Sequence, residues 1–103
     1  MRELNENEFD GAVAKGYTLI DFSAEWCGPC KALLPTIQKL AGEYSGRMNV
    51  YSVDIDKTQS IALKSGVMSV PTLILYKDGR AVERVVGMVS ESALRKKIDA
   101  ALS

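Results

Sequence analysis

The sequence predicts an α/β fold, a central mixed sheet of four to five strands flanked by helices on both faces. Three observations carry this expectation. Apolar segments of strand length alternate with segments of helical periodicity through the first two-thirds of the chain, which requires parallel crossovers. The tetrapeptide "KDGR" (residues 77–80) then joins two further strand-like runs, and Asp-Gly is a strong hairpin signal, so antiparallel strands follow at one side. No composition break, linker or repeat divides the 103 residues, and 47% of them are hydrophobic. Residues 1–103 therefore read as a single domain able to build a core without a disulfide or metal.

Each element has its own signal. A short strand at residues 2–5 is weakly marked. Asn5 with Glu8 resembles a capping box, opening a helix whose Phe9 and Val13 share a face until Gly16 stops it. "YTLIDFSA" (17–24) places four large apolar side chains without clean alternation, as a central strand covered on both faces would. A long helix then runs from the cysteine turn to about Tyr44. Its stripe is Leu33, Ile37, Leu40 and Tyr44, widened by Leu34 and Ala41, and Pro35 inside it predicts a kink. Strand "NVYSVDI" (49–55) follows, then a short helix from about Lys57 to Lys64 that Gly66 would close. "PTLILY" and "AVERVV" are the hairpin strands. Ser90 caps a last helix that turns Leu94, Ile98 and Ala101 or Leu102 inward and Arg95, Lys96 and Lys97 outward.

Thirteen basic and thirteen acidic residues balance, which leaves no basic surplus for nucleic acid. The longest apolar run, "VPTLILY", is interrupted by proline and is far too short for a membrane span. The polar, acidic start "MRELNENEFD" has the character of neither a secretory signal nor a transit peptide, so a cytoplasmic location is expected. No GxGxxG follows a strand, so no bound dinucleotide is expected.

Both cysteines lie in "EWCGPCK" (25–31). A bond between Cys27 and Cys30 closes too small a loop to be a useful staple. Two cysteines without a single histidine fall short of the four ligands of a structural zinc site, so no metal is expected. A polar, glycine-bearing turn also suits an inert buried pair poorly. Redox chemistry is what remains. At the junction of a strand and a helix, unpaired backbone N–H groups favour a thiolate. Pro29 fits the first helical turn, and Gly28 leaves the approach open. Cys27 is thus expected to be the exposed nucleophile with a lowered pKa. Cys30, one turn inward, is the resolving thiol. Without histidine, the proton carrier must be a carboxylate, a lysine or water. Asp21, interrupting "LIDFSA", is the candidate, because burial without a cation would lift its pKa toward neutrality. The alternative is a solvated aspartate at a strand end.

"DFSAEWCGPCK", Pro35, "VDIDK", "SVPT", "KDG" and "VVGMVS" together resemble the thioredoxin family, from near the N-terminus to Leu102. The resemblance implies a thioredoxin fold, with a cis Val70-Pro71 bond beside the cysteines, although trans is the ordinary form of an X–Pro bond. It implies an apolar collar around Cys27 made of Trp26, Gly28, Pro29, Met68, Val70, Pro71, Gly87 and Met88, against which an extended substrate segment pairs. For Met68 and Met88, core packing stands as the alternative. Ser23, Ser52 and Met68 depart from the commonest bacterial pattern. Ser52 takes a position that often carries a charged residue near the buried aspartate, so Asp21 should be governed by burial rather than by ion pairing.

The implied activity is reduction of protein disulfides through the Cys27/Cys30 dithiol, an electron-transport role in cell redox homeostasis. A thioredoxin reductase would recycle the protein, with NADPH entering only through that enzyme, and the protein would act as a monomer. Two other readings stand beside it. One is a binding or assembly module using the collar without turnover, though pure binding needs neither thiol. The other is an oxidase or isomerase domain, against which the Gly-Pro dipeptide counts.

Overall fold

The computed structural model describes residues 1–103. In chain order the elements are β1 (Arg2–Glu3), α1 (Glu6–Val13), β2 (Tyr17–Ser23), α2 (Gly28–Glu43), β3 (Asn49–Asp54), α3 (Gln59–Lys64), β4 (Thr72–Lys77), β5 (Arg80–Val86) and α4 (Glu91–Leu102). The five strands form one sheet in the order β1-β3-β2-β4-β5. β3 runs parallel to β1 and β2, whereas β4 is antiparallel to both β2 and β5. This is the mixed sheet that the alternating elements and the late hairpin predict.

β2 lies at the centre, which is why its sequence does not alternate. Every residue from Thr18 to Phe22 is buried, as a strand covered on both faces requires. On one face Leu19, Leu73 and Leu75 meet Leu33, Ile37, Leu40 and Tyr44 of α2 and its C-cap, together with Leu94 and Ile98 of α4. On the other, Ile20, Phe22, Val53 and Ile74 meet Phe9 and Val13 of α1 and Ile61 of α3. Leu19 and Ile20 thus belong to opposite cores, and the two-residue period of the strand places Asp21 on the α2 side.

Local chemistry fixes the ends. The Asn5 side chain accepts from the backbone N–H groups of Asn7 and Glu8, and the Glu8 carboxylate returns a bond to Asn5 N, completing the capping box. α2 continues unbroken across Pro35. α3 begins at Gln59, two residues later than expected, because Asp54 Oδ1 takes the N–H groups of Asp56 and Lys57 and holds them in a turn. At its other end Val67 N bonds Ala62 O and Gly66 N bonds Leu63 O, with Gly66 at φ +69. These are the two bonds of a Schellman cap. In the hairpin, Asp78 and Gly79 both have positive φ, 48 and 86, as a type I′ turn requires. Asp78 also binds Gly16 through both its N–H and its side chain, joining the hairpin tip to the turn before β2.

Candidate active site

The site is assembled where β2 stops and α2 starts. Cys27 is the N-cap of α2, with extended backbone at φ −90 and ψ 104, and its Sγ accepts the N–H of Cys30 at 3.1 Å. Gly28 and Pro29 occupy the first helical positions, where the missing proline N–H leaves no bond unmade. Cys27 and Cys30 form a disulfide with their Cα atoms 5.3 Å apart. Its sulfurs therefore sit against the partial positive charge of the helix start, which favours the thiolate produced on reduction.

One expectation needs correcting. Cys27 is not exposed in this disulfide form: it is 3% accessible, against 5% for Cys30. The bond ties Cys27 back onto the helix, and Ala24, Ile55 and Val70 pack around the pair. The two cysteines are equally enclosed, so the distinction between an outer and an inner thiol is not one of burial here.

Beneath the pair lies Asp21, 3% accessible. Its Oδ1 has no hydrogen-bond partner in the protein. Burial pushes its carboxyl from the ordinary range up to about 6, and no cation offsets this. The solvated strand-end alternative is thereby excluded. Lys57, in the turn after β3, pairs with Glu3 and Glu25, at 3.5 and 3.6 Å. Asp21 and Cys30 line one cleft of about 230 Å³, together with Ser23, Ser52 and Asp54. Ser52 is the direct neighbour of Asp21 in β3.

Around the turn the chain presents apolar side chains. Trp26, Met68 and Met88 are 68%, 96% and 57% exposed, which excludes core packing for both methionines. Gly28 and Pro29 are exposed and Val70 is half-buried against the cysteines. The Val70-Pro71 bond is cis. Pro71 itself is buried, so it supports the rim rather than forming its surface, and its carbonyl accepts the Gly87 N–H at 2.8 Å. That bond brings Gly87, at φ +86, to the same end of the sheet.

Residues that sequence reading passed over hold the loop in place. Trp26 Nε1 donates to Asp56 Oδ2 at 2.7 Å, and the Lys57 ammonium beside it engages Glu25. Asp54, whose side chain shapes that turn, was read as part of the strand 49–55, although an aspartate at a strand end is itself a turn signal. The pairing of Asp56 with a tryptophan thirty positions earlier had no local signal.

A disulfide-bonded pair at a helix N-terminus, over a buried carboxyl and beneath an apolar rim, defines a thiol–disulfide oxidoreductase. Comparison with known proteins narrows the class. The thioredoxin family model matches residues 1–100. A thioredoxin from Staphylococcus saprophyticus is 42% identical over 97 residues, covering 94% of this chain and 93% of the relative. One from Staphylococcus aureus is 41% identical over the same length and shares. Among solved structures, a thioredoxin mutant from Halobacterium salinarum superposes with a TM-score of 0.91 at 36% identity, covering 99% of this chain and 90% of that one. The chain belongs to the thioredoxin family. Its substrates are accordingly disulfide-containing proteins. No helix is long and apolar enough to cross a membrane, and no three His, Cys, Asp or Glu side chains come together to hold a metal ion.

Proposed function

We propose that residues 1–103 act as one domain that reduces protein disulfides, with Cys27 as nucleophile, Cys30 as resolving thiol and Asp21 as proton carrier. The Cys27 thiolate attacks one sulfur of the substrate disulfide and releases the other as a thiolate. Cys30, deprotonated by Asp21, then attacks Cys27 Sγ and displaces the second substrate sulfur. Two electrons and two protons pass to the substrate, and the Cys27–Cys30 disulfide remains. The observation that carries this reading is the shared cleft. Asp21 and Cys30 line it together, whereas Cys27 caps the helix and takes its N–H.

The collar of Trp26, Gly28, Pro29, Met68, Val70, Pro71, Gly87 and Met88 supports binding of an extended substrate segment, since its exposed members offer apolar contact without a fixed shape. The Gly-Pro dipeptide supports a reducing direction. A thioredoxin reductase drawing on NADPH would return the dithiol. On this reading the protein works as a monomer in the cytoplasm.

Insulin reduction under a chemical reductant tests the assignment. Cys27→Ser should abolish turnover, and Cys30→Ser should accumulate mixed disulfides. Full activity without Cys27 would reject its role, and binding of partners without turnover by the wild type would favour a non-redox module.

A further inference from the structure

The cleft that joins Asp21 to Cys30 also joins both to solvent, and its walls are specific. Leu19 belongs to the core under α2 and Ile20 and Phe22 to the opposite one, so Asp21 and Ser23 point to the α2 side. The parallel register sets Ser52 beside Asp21 and Asp54 beside Ser23. α2 closes the cleft from above with Cys30, Lys31 and Leu34. Its volume of about 230 Å³ accommodates water, each molecule of which needs roughly 30 Å³. Asp21 Oδ1, deeply buried and without a protein partner, is the atom that needs it.

We propose that Ser52 is a positioning residue for proton transfer in the resolving step, its hydroxyl holding water between Asp21 Oδ1 and the mouth of the cleft. This rests on the reading of Asp21 as proton carrier. A hydroxyl both donates and accepts, so Ser52 can give a hydrogen bond to one water and take one from the next. Cys30 passes its proton through water to the Asp21 carboxylate. The Cys30 sulfur then supplies the electron pair of the Cys27–Cys30 bond as the bond from Cys27 to the substrate sulfur breaks. The substrate leaves as a thiolate and takes a proton from solvent, while the Asp21 proton departs along the cleft, so the balance is neutral.

Ser23, Gln38 and the N-terminal Met1 also line the cleft, but Ser52 is the hydroxyl residue that the strand register sets directly opposite Asp21. Glu3, Glu25 and Asp54 also line it and would repel charge on Asp21, and Lys31 stands at its α2 wall. The Lys57 ammonium is held by Glu3 and Glu25. Asp54 Oδ1 is committed to the backbone of Asp56 and Lys57.

Two measurements on wild type, Ser52→Ala, Ser52→Thr and Asp21→Asn test the proposal. One is the stopped-flow rate of the resolving step against pH. The other is the NMR titration of the Asp21 carboxyl in the disulfide form. Ser52→Ala should slow resolution by roughly 3- to 10-fold near neutrality, the worth of one hydrogen bond. It should also move the inflection of the rate profile and the Asp21 titration upward together, because the carboxylate loses its hydration. Ser52→Thr, which keeps the hydroxyl on a strand-forming residue, should restore both. The proposal is overturned if Ser52→Ala leaves rate and titration unchanged while Asp21→Asn slows resolution, or if Ser52→Thr restores neither. An Asp21→Asn protein that resolves at the wild-type rate would instead remove the proton-carrier reading beneath it.

Discussion

The indole Nε1 of Trp26 donates a 2.7 Å hydrogen bond to Oδ2 of Asp56, so the most exposed aromatic surface of the site is fixed from the turn between β3 and α3. That turn is itself held by Asp54, which takes the N–H groups of Asp56 and Lys57, while Lys57 reaches Glu25. An exposed tryptophan is thus kept in one orientation without burying it.

Asp56→Ala should free the indole. As Trp26 is the single tryptophan, its fluorescence anisotropy should fall, and kcat/KM for insulin should drop by roughly 2- to 10-fold, as loss of one hydrogen bond implies. Stability should change by less than about 1 kcal/mol, because the pair is exposed. Unchanged anisotropy would show that the bond does not orient the ring.

The buried Asp21 gives stability a defined pH dependence. Burial raises its folded pKa to about 6, so between the unfolded carboxyl range and that value the folded state binds the extra proton. Its contribution is fully present below about pH 4 and is lost as pH rises through about 6. Charge on Asp21 therefore destabilises the disulfide form at neutral pH by on the order of 2–3 kcal/mol. Asp21→Asn should raise Cm in urea at pH 7.5 and flatten the dependence between pH 4 and 7. Equal stability of the two proteins at pH 7.5 would mean that the carboxyl is hydrated better than its burial indicates.

Met68 is almost wholly exposed, at 96%, and its replacement should separate binding from folding. Met68→Ser is expected to leave Tm within about 2–4 °C, since surface substitutions stay within roughly 0.5 kcal/mol. KM should rise for substrates with apolar residues around the disulfide and stay constant for a small disulfide such as oxidised glutathione. An equal change for both would assign Met68 no part in the collar.

Asn5→Ala removes the side-chain cap of α1, leaving the Asn7 N–H unpaired and the Glu8 N–H with only its bond to the Asn5 carbonyl. The expected cost is about 1 kcal/mol, read as a lower Cm with the urea m-value unchanged. Insulin reduction should persist, as α1 lies on the sheet face opposite α2.

The elements were legible where short-range chemistry determines them. The capping box at Asn5, the Asp78-Gly79 turn and the stripe Leu33, Ile37, Leu40 and Tyr44 each depend on residues a few positions apart, and the structure contains all three. The cysteine turn was legible for the same reason, since Cys27, Gly28, Pro29 and Cys30 build one helix N-terminus. The two-residue delay of α3 was not foreseen, because the side chain of Asp54 competes with the helix for the same backbone donors.

What the sequence determined by itself was which residues could react: two thiols at a helix start, and a carboxyl placed in a strand with apolar neighbours. Only the tertiary structure decided how they are disposed. It enclosed Cys27 as fully as Cys30, turned Met68 and Met88 outward, and brought Asp56 to Trp26. Local propensity is carried by neighbours along the chain. Burial and pairing across strands depend on which segments the sheet order brings together, and β3 meets β2 only once the intervening helix has crossed the sheet.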